Sequence, residues 1–222
     1  MPRVVAIISQ KGGCGKSTIA RHGSVLLPRC GLLDLDPQGT SRRWVERRRA
    51  AGLVGPGLVT AAASQVPQLI ARLDADWLIV DTPPSHDDTR AIRAAAAAAD
   101  LVLVPVRPTP DDLEVLGATL DLLDGRRAAF VLSMANPRAT LTQRARAALE
   151  AVGTVAPVAI TNRVAYPEAA EDGSAVTESD PRGPAADEMR RLWSWVTEAV
   201  QDGKHGSVPA RKRASTKARR EP

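Results

Sequence analysis

The stretch VVAIISQKGGCGKST, Val4 to Thr18, decides how the rest of the chain reads. Its first five residues are apolar without a break, the pattern of a strand buried on both faces. Three glycines follow within four positions, and then Lys16-Ser17-Thr18 begins a helical pattern. Strand, glycine-rich turn and helix start form a cradle for phosphate. Gly12, Gly13 and Gly15 let the backbone turn its N–H groups inward, and the helix points its positive end at the same spot. Lys16 is placed to reach the β- and γ-phosphates, and the Ser17 hydroxyl to ligate Mg²⁺. The pattern G-x-x-x-x-G-K-[ST] is met except at its first glycine, where Gln10 stands. Lys11 sits beside it, a second lysine on a loop that needs one.

The remaining chain alternates apolar runs with helical patterns. Strands are expected at Gly31–Asp36, Gly57–Thr60, Trp77–Asp81, Leu101–Val106, Ala128–Met134 and Val158–Thr161. Helices are expected over 41–52 (capped by Thr40 or Ser41), 64–75, 87–99, 110–125, 140–153 and 184–200. Such alternation predicts an α/β fold, a mostly parallel sheet with helices on both faces. Ligands in these folds sit beyond the carboxyl ends of the strands. Two acids stand there, Asp36 in LLDLDPQGT and Asp81 in WLIVDTPP. Taken alone, Asp36 reads as a turn residue before Pro37, and strands often end in an acid like Asp81.

The 222 residues are 44% hydrophobic and 25% charged, with only 3% aromatic, as expected of one soluble domain with an aliphatic core. No apolar run approaches the roughly 18 residues of a membrane span, and the N-terminus lacks the pattern of a signal peptide. Two cysteines fit a reducing cytosol. The net charge of +5 is concentrated at the end. Residues 203–222 hold seven Lys/Arg and one Glu, against 23 basic and 24 acidic residues before them. Such a tail reads either as a solubilising segment or as one attracted to polyanions.

KGGCGKST resembles the deviant Walker A motif, K-G-G-x-G-K-[ST]-[ST], of the ParA/MinD ATPases. The resemblance implies a P-loop NTPase-like fold that binds ATP with Mg²⁺ through Lys11, Gly12, Gly13, Cys14, Gly15, Lys16, Ser17 and Thr18. Lys11 would be the signature lysine that reaches the nucleotide of the other subunit of an ATP-bound homodimer. Asp36 would position or activate the attacking water, and Asp81, in a segment like Walker B, would hold Mg²⁺ together with Ser17. Thr82 to Ser85 would form a nucleotide-sensing switch. PVRPTPDDLEVLG (Pro105–Gly117) resembles the P-x-x-P-x-x-x-D segment of small ParA proteins. Residues Asn162–Val176 resemble a further pattern of theirs through Arg163, Gly173 and Val176, with the Glu-Ala pair shifted by one residue. The likeness spans roughly residues 3–200.

The resemblance implies a partition or positioning ATPase, cytoplasmic and nucleoid-associated. Its ATP-bound dimer would bind nonspecific DNA, and a cargo-linked adaptor protein would stimulate hydrolysis. The domain is expected over 1–202 and a disordered basic tail over 203–222. Candidate DNA contacts are Lys204, Arg211, Lys212, Arg213, Lys217, Arg219 and Arg220, with Arg190 and Arg191 on the last helix. The tail has no apolar face for membrane insertion. A ligase-like metabolic ATPase of the same superfamily is the alternative. His22, His86 and His205 read as incidental surface residues. The segment between Thr18 and Asp34 is shorter than the family usually carries, with Gly23 inside the helix and Pro28 ending it, which leaves little slack for Asp36 to return to the phosphate end.

Overall fold

Branched and aliphatic side chains fill the strands so completely that both sheet faces must be covered, and they are. The computed structural model describes residues 1–84 and 89–202. Six parallel strands form one sheet: β1 (Arg3–Ile7), β2 (Cys30–Asp34), β3 (Gly57–Val59), β4 (Trp77–Asp81), β5 (Leu101–Val106) and β6 (Ala128–Leu132). Their order is β3-β2-β4-β1-β5-β6. Successive helices are α1 (Lys16–Leu26), α2 (Thr40–Ala50), α3 (Val66–Arg72), α4 (Thr89–Ala98), α5 (Pro110–Glu114), α6 (Leu116–Leu123), α7 (Thr140–Glu150), α8 (Ala165–Glu171), α9 (Val176–Ser179) and α10 (Pro184–Asp202). A 3₁₀ turn, Ala63–Gln65, precedes α3.

The alternation of side chains along each strand sorts the core into two layers. Val5, Ile7, Leu32, Ile79 and Leu103 join Ile19 of α1, Trp44 of α2 and Met189, Leu192, Trp193 and Val196 of α10. Val4, Ala6, Leu33, Val80 and Val104 join Ile92 of α4, Leu122 of α6 and Leu149 of α7 on the opposite face. The strand order reverses at β1, which pairs with β4 on one side and β5 on the other. The crevice at that switch point is where a ligand belongs in a doubly wound sheet.

The short first crossover closes without distorting the sheet. Only Leu27, Pro28 and Arg29 separate α1 from β2. Arg29 takes a left-handed φ of 42°, a conformation that lets the chain reverse sharply. Gly23 also has a reason to be where it is. A Cβ there would stand 2.0 Å from the indole of Trp193, so the helix gives up propensity to let the last helix pack flush against it.

Several expected boundaries moved. Val115 breaks the helix expected over 110–125 into α5 and α6. Neither Thr40 nor Ser41 caps α2; Gly39 occupies the cap position with φ 61°. Strand β2 ends at Asp34, leaving Asp36 in the turn beyond it. Of the strand expected at Val158–Thr161 only the bridge Ala135↔Thr161 forms, and a second bridge, Phe130↔Val155, precedes the expected start. Ala156 N–H donates to Phe130 O and Ile160 N–H to Leu132 O, so one side advances four residues while β6 advances two. Pro157, which has no N–H, lies in that bulge.

Candidate nucleotide site

The phosphate loop runs from the end of β1 to the start of α1. Gly13 and Gly15 have φ of 71° and 91°, which L side chains rarely adopt. Nothing lies within 4 Å of where a Cβ would sit at Gly12 or Gly13, so the loop is open on that side. Gly15 occupies the cap position of α1 with no side-chain cap, as expected of a helix end left for an anion. Lys16 is buried, 7% exposed, and its ammonium donates to the carbonyl of Lys11 at 3.0 Å. The thiol of Cys14 donates to that same carbonyl at 3.3 Å.

Lys11 leaves the loop on its other side. Its Nζ lies 3.5 Å from Oδ1 of Asp112, a buried carboxylate in α5. Asp112 also accepts from Arg107 Nε at 3.0 Å and Nη2 at 2.9 Å, and from the Thr109 hydroxyl at 3.1 Å. Burial would raise the Asp112 carboxyl, but the Arg107 bonds overturn that and hold it below the ordinary range. Asp112 is the aspartate of P-x-x-P-x-x-x-D, and its place beside Lys11 gives that pattern a physical meaning.

Asp81 and Asp34 stand at neighbouring strand ends, and Asp36 lies in the turn after Asp34. Asp81 closes β4, fully buried, and burial pushes its pKa up to about 6 against the opposing hydroxyls of Ser41 and Ser17. Its Oδ2 accepts from Ser41 at 2.7 Å, while Oδ1 has no hydrogen-bond partner. A buried carboxylate oxygen left bare beside a phosphate cradle and the Ser17 hydroxyl is the donor set a hard cation takes. The residues therefore fit Mg²⁺ and a triphosphate. Asp34 pairs in register with Asp81 and spans the following turn, accepting from Asp36 N–H at 3.0 Å and Arg42 N–H at 2.9 Å. Asp36 is half-buried and accepts from Gln38 N–H at 2.9 Å. The hydroxyl of Thr82 donates to Ile7 O at 2.8 Å, tying the segment after β4 to the end of β1. Ser85 lies outside the described residues.

Beside Gly15 and Thr18 opens a cavity of about 960 Å³, walled by Ser133, Met134, Thr161, Asn162, Arg163 and Tyr166, among others. Arg163, which carries the Asn162–Val176 pattern, lies with Asn162 beyond the end of the bulged segment along β6, at the carboxyl end of the sheet. Sequence reasoning passed over Asp34, Ser41 and Arg21 as residues of the site. Arg21 Nε donates to Ser41 Oγ at 3.3 Å, and its buried Nη2 has no hydrogen-bond partner.

The reading of His22 as a surface residue is corrected. It is 3% exposed, and its Nδ1 bonds Thr18 O at 2.7 Å while Nε2 accepts from Val176 N–H at 3.1 Å. Burial lowers its pKa to about 4, which keeps it neutral. Local spacing does not reveal this burial, because Val176 and Tyr166, which meet the ring, lie far along the chain. His86 and His205 lie outside the described residues, as do all the tail cations from Lys204 to Arg220. Arg190 donates to Pro181 O, and Arg191 pairs with Asp187 at 3.6 Å. No helix of the described residues is long and apolar enough to cross a membrane.

No protein-family model matches the chain. It is 32% identical over 206 residues to maintenance of carboxysome distribution protein A of Halothiobacillus neapolitanus, covering 86% of this chain and 95% of that protein. It is 30% identical over 244 aligned positions to the chromosome-partitioning ATPase Soj of Thermus thermophilus, covering 90% and 97%. Among solved structures, McdA of Cyanothece in an ATP complex superposes with a TM-score of 0.66 at 18% identity, over 90% and 96% of the two chains. Cobyrinic acid a,c-diamide synthase of Mycobacterium smegmatis, with ADP and magnesium, reaches 0.65 at 18% identity, over 94% and 99%. The structural likenesses speak for the fold alone. The full-length sequence relatives go further: the chain belongs to the ParA/MinD family of deviant Walker A ATPases, and it is a positioning or partition ATPase.

Proposed function

We propose that residues 1–202 form an ATPase domain whose ATP-bound homodimer carries a cargo over DNA. The observation behind this reading is the unequal state of the two loop lysines. Lys16 is buried in its own loop, whereas the Lys11 side chain is 32% exposed and rests on a carboxylate outside the loop. A lysine so placed can exchange Asp112 for the phosphates of a second subunit, and the dimer then depends on a triphosphate being present.

Gly12 to Thr18 would hold the phosphates by backbone N–H groups, with Lys16 turning from Lys11 O to the β- and γ-oxygens. The base would lie in the cavity beside Gly15. Ser17 and Asp81 would hold Mg²⁺, which when bound neutralises charge on the transferred phosphoryl group. Asp36 would orient the attacking water in line with the γ-phosphate. Hydrolysis would be slow until an adaptor protein docks.

Nonspecific DNA would be held by phosphate contacts from the tail, Lys204, Arg211, Lys212, Arg213, Lys217, Arg219 and Arg220, which also accounts for nucleoid association. The relative named for carboxysome distribution favours a protein assembly as cargo over a plasmid. Lys11→Ala is the decisive variant: it should retain nucleotide binding and lose the ATP-dependent dimer on a sizing column. A dimer that persists would refute the reading. A metabolic synthase would share this fold, and stimulation separates the two. Nonspecific DNA plus a cargo adaptor should raise turnover in a positioning ATPase, a small metabolite in a synthase.

A further inference from the structure

One carboxylate outside the phosphate loop gathers an unusual number of donors. Glu188, on α10, is 8% exposed. Its Oε1 accepts from the Thr161 hydroxyl at 2.7 Å and from Arg163 Nη2 at 2.7 Å and Nε at 3.1 Å. Its Oε2 accepts from Thr161 N–H at 3.1 Å and from the Tyr166 hydroxyl at 3.1 Å. Five bonds exceed the roughly four lone-pair sites of a carboxylate, so the group is saturated. Every donor belongs to Thr161, Arg163 or Tyr166, and all three wall the cavity beside Gly15.

Backbone bonds secure the wall around Thr161: Ile160 N–H donates to Leu132 O at 2.8 Å, Ala135 N–H to Ile160 O at 3.0 Å and Asn162 N–H to Ala135 O at 3.3 Å. Before them the segment is bulged away from β6, and the Thr161, Arg163 and Tyr166 side chains are held by Glu188. On the far side, the Tyr166 ring meets His22 edge-on at 5.4 Å, and His22 is bonded to Thr18 O. Glu188 thus fastens the cavity wall to α10 and, through Tyr166 and His22, to the helix that begins the phosphate site.

We infer that Glu188 is a positioning residue for the nucleotide base: it holds Thr161, Asn162 and Arg163 at the width that accepts one. The inference rests on the proposed placement of the base in this cavity. A neutral amide cannot substitute. Glu188→Gln would turn an NH₂ toward donors and leave the Arg163 guanidinium without its counter-charge. The wall would loosen, and ligands that use it would bind less well, by about tenfold for a supporting residue of this kind.

A ligand without a base provides the control. Affinity for ATP and for inorganic tripolyphosphate is measured by calorimetry on the full chain, with Glu188→Gln and with Thr161→Val, which removes one of the five bonds and leaves the charge pair. Glu188→Gln should weaken ATP about tenfold and leave tripolyphosphate within twofold, with Thr161→Val intermediate. Equal loss for both ligands would make Glu188 a general structural residue and overturn the inference, as would no loss of ATP. Should Glu188→Gln not fold, Thr161→Val decides by the same comparison. Photolabelling of the native chain with 8-azido-ATP tests the underlying placement. Label outside 133–134 and 161–167 overturns the placement of the base. Label inside it, with ATP affinity unchanged by Glu188→Gln, overturns the role of Glu188 alone.

Discussion

The hydroxyl of Ser41 donates to Asp81 Oδ2 at 2.7 Å, with both residues wholly buried. The bond joins the first turn of α2 to the end of β4, and so links the Asp36 turn to the acid proposed to hold Mg²⁺. Ser41→Ala would leave that oxygen buried and unpaired, at a cost of about 1–3 kcal/mol. The expected result is a melting temperature lower by several degrees and a Mg²⁺ requirement for ATP hydrolysis raised about tenfold. Ser41→Thr keeps the hydroxyl and should recover most of both. Metal titration of the ATPase reaction, alongside a thermal melt, checks each part.

Asp112 holds two cations of different strength. Arg107 grips it through two nitrogens, while the partly exposed Lys11 contact at 3.5 Å is worth no more than about 1 kcal/mol. Lys11 can therefore leave without stranding a buried charge. Asp112→Asn should lower the ATP concentration at which the dimer forms, by up to about fivefold. Sedimentation over an ATP series, with hydrolysis blocked by Asp36→Ala, reads the shift. An unmoved threshold would make the Lys11–Asp112 pair incidental to assembly.

Gly23→Ala should destabilise the protein although alanine is the better helix former. The gain in propensity is about 1 kcal/mol. Against it stands a methyl 2.0 Å from the Trp193 ring, which forces a backbone shift costing about 1–3 kcal/mol. Chemical denaturation of the two proteins should show a lower midpoint for the variant. Pairing it with Trp193→Leu should reverse the sign.

His22 predicts how stability responds to acid. Burial holds its folded pKa at about 4, below the ordinary 6.5, so the unfolded chain takes up the proton first. Stability supplied by neutral His22 is whole above pH 6.5 and fades as the pH falls toward 4. By pH 5 the loss is about 2 kcal/mol. Asp81, raised toward 6, acts in the opposite direction. The difference between the native chain and His22→Gln isolates the histidine, and urea midpoints at pH 7.5 and pH 5 should fall further in the native chain.

Deleting residues 203–222 tests the tail. If about five phosphates are contacted, the native dimer should lose DNA affinity with a log–log salt slope near −4 to −5. The truncated dimer should bind weakly and with a shallower slope. Salt-independent binding, or binding unchanged by the deletion, would remove the tail from the interface.

The fold was legible because β1, β4 and β5 each carry at least four consecutive apolar residues, the pattern of an interior parallel strand. The turn of the phosphate loop was legible because its neighbours in sequence are also its neighbours in space. Where that condition fails, the sequence was silent. His22 meets Val176 across 154 positions, and Trp44 Nε1 meets Ser174 O across 130. Ser41 looked like a helix cap because its partner, Asp81, is forty residues away. Local spacing also misplaced the end of β2, since Leu35 continues the apolar pattern after Asp34 has already turned to bind Asp36 and Arg42 N–H.

The bulge at Pro157 divides the labour of the site between two kinds of scaffold. The phosphate loop grows from a central strand laddered on both sides, and a displacement there would break a row of backbone bonds at once. The wall proposed for the base hangs from an interrupted edge, held by a few backbone bonds around Ile160 and Asn162 and by the side-chain bonds to Glu188. On that placement one end of the nucleotide meets a continuous ladder and the other an interrupted one. Exchange of spent nucleotide should then begin at the base, with the phosphates the last part to leave.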